Sequence, residues 1–355
     1  QNMPVCEKKI LFVGEEISFA SRYRVEHFRE QLHYQGYGSD FYQVDEVEDL
    51  DWDAYRAVVC YRCSREDVVC KVVEQAKKTG LNVYYDIDDL IFDYERISYL
   101  HFLTGSEYKD FKKTTEQIHS CMELCDGYFT STDTLAGEIR REFPGKPVVI
   151  NRNCASMEMQ ILSHDAVEQV EKDPEHISIG YFSGSKTHDQ DFEVAEEAIL
   201  EVMKEHPEVR LKLVGVLSDR KMEKFGNKVE KLPFMDWRQL PAVIAGLDIN
   251  LMPLENSLFH WCKSENKWTE AALVKVPSVM SRNCEMEYVV ENGKDGWMCT
   301  TKEEWVNALE ALVTDEKARK AMGEAAHQKV MEHYLTVNTG KDAMEELLCS
   351  ESYTK

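Results

Sequence analysis

Short apolar runs alternate with helix-period stretches along most of this chain, and that alternation limits its fold more than any other feature. Lys9–Gly14, 56–61, 81–86, 127–131 and 148–150 read as buried strands, with helical patterns over 22–35 and 67–78. A second series follows, with strands at 177–182, 209–215, 229–232 and 248–252 and helices at 191–205 and 237–246. Strands alternating with helices predict a parallel sheet. Ligands of such sheets bind at the carboxyl ends of the strands.

Between the two series the periodicity fades into an acidic, polar stretch ending Lys172-Asp173-Pro174-Glu175. A length of 355 residues suits two domains. The expected division is therefore a first β/α domain at 3–155, a linker at 156–176 and a second β/α domain at 177–335. A long helical stretch over about 303–332 gives way to His333-Tyr334-Leu335-Thr336, and a last helix is expected at 338–348, within a final segment 336–355.

The chemistry concentrates at 259–281. Glu270-Ala271-Ala272-Leu273 opens an apolar helical stretch, and Val276-Pro277 leads into a buried strand, Ser278-Val279-Met280-Ser281. In front of the helix, Cys262 to Lys267 carry two lysines, a serine, a glutamate and an asparagine. A helix N-terminus offers unpaired N–H groups and about half a positive charge, a ready seat for phosphate. A carboxylate one turn inside, Glu270, can reach the two hydroxyls of a ribose. An amphipathic helix with a solvated polar entry would read the same way.

This segment resembles the donor-binding signature of the family-4-type retaining glycosyltransferases, whose pattern is Glu, seven residues, Glu, then Ala and a Val-Pro strand. Glu270-Ala271-Ala272 and Val276-Pro277-Ser278-Val279 match its second half, while Cys262 stands where the first glutamate would fall. Lys263-Ser264-Glu265 replaces that half, a variant similar to one in a polysaccharide-building subgroup. The resemblance implies a GT-B fold: two Rossmann-like domains facing a cleft, with the C-terminal helix crossing back to the first. It also implies donor contacts at Ser264, Asn266, Lys267 and Glu270, and catalytic positions at Lys263 and Glu265.

Five further places fit that reading. Gly184, Ser185, Lys186 and His188 follow the strand at 177–182, where hydroxyls, N–H groups and a cation can hold a diphosphate. The family's usual second-domain arginine has no match, so the positive charge falls to Lys186, Lys263 or Lys267. Asp86, Asp88 and Asp89 end a first-domain strand, where carboxylates hydrogen-bond sugar hydroxyls, bind a divalent ion or simply cap a helix. Relatives carry His-Asp-Leu here with the histidine near the transferred sugar, and Asp88 takes its place. Arg22 and Arg24 start the helix after the first strand and are candidates to grip a donor or lipid-linked phosphate. Phe234 and Trp237 fall where relatives contact the base, and His260 lies in the approach to the signature. Core packing accounts for Phe234 and Trp237 equally well, and a lone histidine such as His260 is more often structural.

A formal net charge of −23 disfavours nucleic acid and an anionic membrane as partners. It leaves room only for a weak peripheral membrane association. No apolar run approaches the roughly 18 residues of a membrane span. Eleven scattered cysteines read as buried free thiols, and Cys60-x-x-Cys63 lacks a second pair at zinc spacing, so a cytoplasmic setting is expected. No G-x-G-x-x-G follows Val13 or Gly180, which removes support for a dehydrogenase.

The expectation is a retaining transferase that moves a sugar from a nucleotide-diphosphate sugar to a glycan or lipid-linked acceptor. It would need no obligatory cofactor or metal. No protein base or nucleophile stands out, which suits a front-face mechanism. A nucleotide-sugar 2-epimerase of the same fold, or a non-catalytic glycan- or nucleotide-binding relative, remain alternatives. Sugar, base, acceptor, linkage and oligomeric state are not encoded legibly.

Overall fold

The computed structural model describes residues 8–15, 18–97, 103–184, 189–215, 217 and 220–349. The strands are β1 (Lys9–Gly14), β2 (Ser39–Gln43), β3 (Tyr55–Tyr61), β4 (Asn82–Asp86), β5 (Gly127–Thr130), β6 (Val148–Ile150), β7 (Ile177–Ser183), β8 (Val209–Gly215), β9 (Val229–Leu232), β10 (Ile249–Met252), β11 (Ser278–Ser281) and β12 (Trp297–Cys299). They form two six-stranded sheets, ordered β2-β1-β3-β4-β5-β6 and β12-β11-β10-β7-β8-β9. Every pairing within them is parallel. This is the α/β architecture that the alternating pattern predicts.

The helices up to the middle of the chain are α1 (His27–Tyr34), α2 (Glu66–Thr79), α3 (Tyr94–Ile97), α4 (Gly105–Leu124), α5 (Asp133–Glu142), α6 (Met157–Gln169) and α7 (Asp189–Glu205). Those after it are α8 (Leu240–Ala245), α9 (Leu258–Trp261), α10 (Asn266–Leu273), α11 (Cys284–Val289), α12 (Lys302–Thr314), α13 (Glu316–His333) and α14 (Lys341–Cys349). The chain divides into two compact units. One takes Gln1–Ser156, Trp261–Ser264 and Thr336–Lys355, and the other Met157–His260 and Glu265–Leu335. The tetrapeptide Trp261–Ser264 thus sits in the first unit, not with the segments on either side of it.

The first unit's core gathers Ile10 and Phe12 of β1, Val25, Phe28 and Leu32, with Ala57, Val59, Tyr84 and Phe129 from the neighbouring strands. Ala343, Met344 and Leu347 of α14 complete it, and the Tyr84 hydroxyl donates to the Glu346 carboxylate at 3.0 Å. The second unit's core joins Ile179, Tyr181, Leu211, Ile249, Leu251 and Val279 of the sheet to apolar faces of α7 and α12.

Among the differences from the expectation, three show how the sequence pattern misleads. The segment 156–176, expected as a linker, contains α6. Its pattern is blurred because Met157 and Ile161 are exposed whereas Ser163 is buried. The long helix expected over 303–332 is two, α12 and α13, broken where Asp315 turns extended and accepts a hydrogen bond from the Ala318 N–H. An edge strand, β2, lies where no strand is expected, because its half-buried residues Ser39–Gln43 are mostly polar.

The carboxyl ends of β7 and β8 meet closely. Gly215 has φ +99°, and a Cβ there would stand 1.9 Å from the Ser183 carbonyl oxygen. Gly215→Ala should therefore destabilise the protein by about 2 kcal/mol, combining left-handed strain with a backbone clash. Urea unfolding checks it, and an unchanged midpoint would contradict the close approach.

Candidate functional site

Each sheet gathers polar side chains at the carboxyl ends of its strands. In the first, the chain leaves β1 and enters a π-helical turn, Arg22–Glu26, that runs into α1. Arg24 points into the unit. Its Nε and Nη2 donate to the two oxygens of Asp86 at 2.7 and 2.8 Å, and its Nη1 donates to Asn151 O and to Asn153 Oδ1 at 3.0 Å. The two side chains are 1% and 0% exposed. Burial pushes the Asp86 carboxyl up to about 6 although Arg24 opposes it, and the pairing keeps Arg24 charged. For either to hold a sugar or phosphate, this pair would have to open. Arg22 is also buried; its guanidinium lies 4.2 Å from the Phe19 ring centroid, and Nη1 donates to Phe19 O at 2.9 Å.

Beyond Asp86 the surface is partly open and strongly charged. Asp89 is bridged by two cations, Lys263 Nζ at 2.8 Å and Arg62 Nη2 at 2.7 Å. Burial alone would raise its carboxyl, yet Lys263 and Arg62 pull it down to about 2. Asp88 lies 3.7 Å from Arg62 Nε and accepts from the Tyr61 hydroxyl at 3.2 Å. The tetrapeptide is fastened here as well. Thr132 Oγ1 donates to Cys262 O at 2.9 Å, and Asn153 Nδ2 donates to Ser264 Oγ at 3.0 Å. The structure thus brings Asp86, Asp88, Asp89, Lys263, Ser264, Arg22 and Arg24 together on one end of one sheet.

Sequence reasoning missed Arg62, Asn153 and Thr132. Arg62 holds φ +46°, a left-handed backbone that a long side chain seldom adopts, right after β3. Such strain at a strand end often marks a site, but nothing in the residue's type announces it.

In the second unit β7 ends at Ser183 and is followed by an exposed Gly184. Ser185, Lys186 and His188 lie outside the described residues. Helix α10 begins at Asn266, with Glu265 at its N-cap, fully buried, and the Glu265 carbonyl accepts from Thr269 N–H at 3.0 Å. Asn266, Lys267 and Glu270 are half-buried along its first turns. Lys267 Nζ stands 4.6 Å from the Tyr181 ring centroid, against the last turns of β7. Asn250 fixes the helix from below, donating to Lys267 O at 3.3 Å and to Ser278 Oγ at 2.9 Å. Trp268 anchors the other face by donating to Asp295 O at 2.8 Å. Together these contacts hold the first turn of α10, with Lys267, against β7 and β10. Phe234 is half-exposed, Trp237 is 9% exposed and His260 is 3% exposed.

Comparison with known proteins follows this geometry. Residues 177–315 match the family model described as glycosyl transferases group 1. A glycosyltransferase from Rickettsia africae ESF-5 is similar with a TM-score of 0.69 and 11% identity, over 98% of this chain and 100% of that one. HepE of Anabaena, solved with UDP, gives 0.65 and 13% over 96% and 100%. Sucrose-phosphate synthase from Thermosynechococcus elongatus gives 0.65 and 12% over 97% and 100%. No curated protein sequence matches the chain. The two six-stranded parallel sheets and the likeness over whole chain lengths give this protein the GT-B fold, with a glycosyl transferases group 1 match over residues 177–315.

Proposed function

We propose that this protein is a retaining glycosyltransferase that uses a nucleoside-diphosphate sugar as donor and a glycan or lipid-linked acceptor, in polysaccharide or glycoconjugate synthesis. The observation that carries the reading is the segment Lys263–Ser281. Its second part folds as α10 and then β11, inside the stretch that matches the transferase family, with Glu270 one turn into the helix. HepE has also been solved with UDP-glucose, which favours a uridine donor as the first to try.

In this reading the N–H groups of α10 and of the Ser183-Gly184 turn hold the diphosphate, and Glu270 accepts hydrogen bonds from the ribose hydroxyls. Lys263 meets the negative charge that grows on the leaving diphosphate, with Lys267 the alternative source of that cation. The leaving phosphate itself helps to deprotonate the acceptor hydroxyl, so the protein's contribution is positioning and charge stabilisation. Asp88 is assigned to orienting the sugar, and Glu265, buried at the N-cap of α10, to supporting the entry of that helix. A tightly bound metal is not part of this reaction.

Thermal stabilisation and slow hydrolysis, measured across UDP-, GDP-, CMP- and TDP-sugars, test the reading, and binding of none of them would refute it. A narrower test concerns the ribose. Glu270→Gln should weaken donor binding by about 1–3 kcal/mol, the range for hydrogen bonds to a charged acceptor. Calorimetry that finds the same nucleotide affinity in the variant would remove Glu270 from the site.

A further inference from the structure

Three side chains of the second unit converge at a point that the transfer reaction does not use. Asp191 lies in the first turn of α7, and Glu255 and His260 lie between β10 and the end of α9. Asp191 and His260 are 1% and 3% exposed, and the Glu255 side chain is 29% exposed. The imidazole Nε2 stands 3.2 Å from Asp191 Oδ1 and 3.7 Å from Glu255 Oε2. One donor atom from each of the three lies within 4.8 Å of the others. On the far side of the ring, Nδ1 meets Ser257 Oγ at 2.6 Å, which fixes the ring with Nε2 turned to the carboxylates. Metal-bound histidines are oriented in this way through their second nitrogen.

We propose that Asp191, Glu255 and His260 form a binding site for zinc(II). Tetrahedral bonds of about 2.0–2.1 Å place neighbouring donor atoms about 3.3–3.4 Å apart, between the two separations seen here. Calcium requires six to eight oxygens and magnesium a near-octahedral oxygen shell, whereas imidazole mixed with carboxylates suits zinc. Charge points the same way. An imidazolium offers one positive charge to two carboxylates, but zinc offers two and leaves the group neutral, which lowers the cost of burial. The fourth position is left to water. The bound ion clasps the loop leading into α9 and α10 to the start of α7, so its role is structural.

The test uses the full chain stripped with a chelator and titrated with zinc chloride by calorimetry near pH 7.5. The expected result is one zinc per chain, raising the melting temperature, with affinity reduced roughly tenfold or more in His260→Gln and Glu255→Gln. Glu255 is the more exposed ligand, so its variant remains informative if the buried histidine variant fails to fold. Buried cysteines are rival ligands, and cobalt(II) in place of zinc should give no thiolate charge-transfer band. No zinc uptake by the stripped wild type, unaltered affinity in Glu255→Gln, or a thiolate band would each overturn the site. Sugar-nucleotide binding by the same stripped protein reports on the transferase reading separately, so the two proposals fail independently.

Discussion

Arg24→Met should destabilise the first unit by about 3–5 kcal/mol at pH 7.5, the cost of leaving one member of a buried ion pair without its partner. The guanidinium makes both hydrogen bonds to Asp86 and also closes on Asn151 and Asn153. Removing it strands a carboxylate with no exposed surface. The pH dependence follows from the sign of the Asp86 shift. Its carboxyl is already raised to about 6 by burial, and Arg24 is the group that holds it down. Without Arg24 the carboxyl rises further and takes a proton at neutral pH. A raised folded-state value means stability that is present at low pH and lost as pH climbs through that value. In the variant this loss continues above pH 6, where wild type has already levelled off. The penalty should therefore be about 1–2 kcal/mol smaller at pH 5 than at pH 7.5. Urea unfolding at the two pH values measures it; equal penalties would mean that Asp86 is not left as a buried charge. Arg24→Met combined with Asp86→Leu should recover most of the loss, since an apolar pair of similar volume needs no counter-ion.

Lys263→Ala should lower turnover by roughly 10²-fold or more while weakening donor binding much less. An ammonium beside a leaving diphosphate stabilises the transition state more than the ground state, because the negative charge develops as the glycosidic bond breaks. In this structure Lys263 is held 2.8 Å from Asp89. That carboxylate, at about 2, remains ionised at every working pH and fixes the lysine in place. Lys267, beside Tyr181 in α10, is the rival for the role. Single-turnover rates and donor affinities for the two alanine variants separate them. Wild-type turnover in Lys263→Ala, with a loss in Lys267→Ala, would move the charge to the helix.

The β/α order was legible because buried parallel strands are largely apolar, so β1 and β3 show as runs at Ile10–Val13 and 57–60, while β8 shows as Val209, Leu211 and Leu213 alternating with charged residues. Strand β2 escaped because an edge strand half in water keeps polar residues such as Ser39, Asp40 and Gln43. Helix α6 escaped because apolar Met157 and Ile161 face outward, against the usual amphipathic pattern. At the site, Glu270 and Lys267 were legible from their place in the helix entry. The roles of Arg24 and Asp86 were not. A charged residue near a strand end reads as a ligand contact until its burial and its partner are known, and partners 62 residues apart in sequence leave no local trace. The left-handed backbone of Arg62 is equally silent, because it depends on tertiary context and not on residue type.

The composition of the first unit from three separate stretches of chain has a consequence for how the protein is made. Its sheet is complete by Ile150, yet its apolar core still lacks Ala343, Met344 and Leu347. During synthesis the amino-terminal sheet must wait, with the side of its core that α14 covers open, until residues 341–349 have left the ribosome. The second unit, whose segments end at Leu335, is translated in full before the first can close. The unit begun first is therefore finished last.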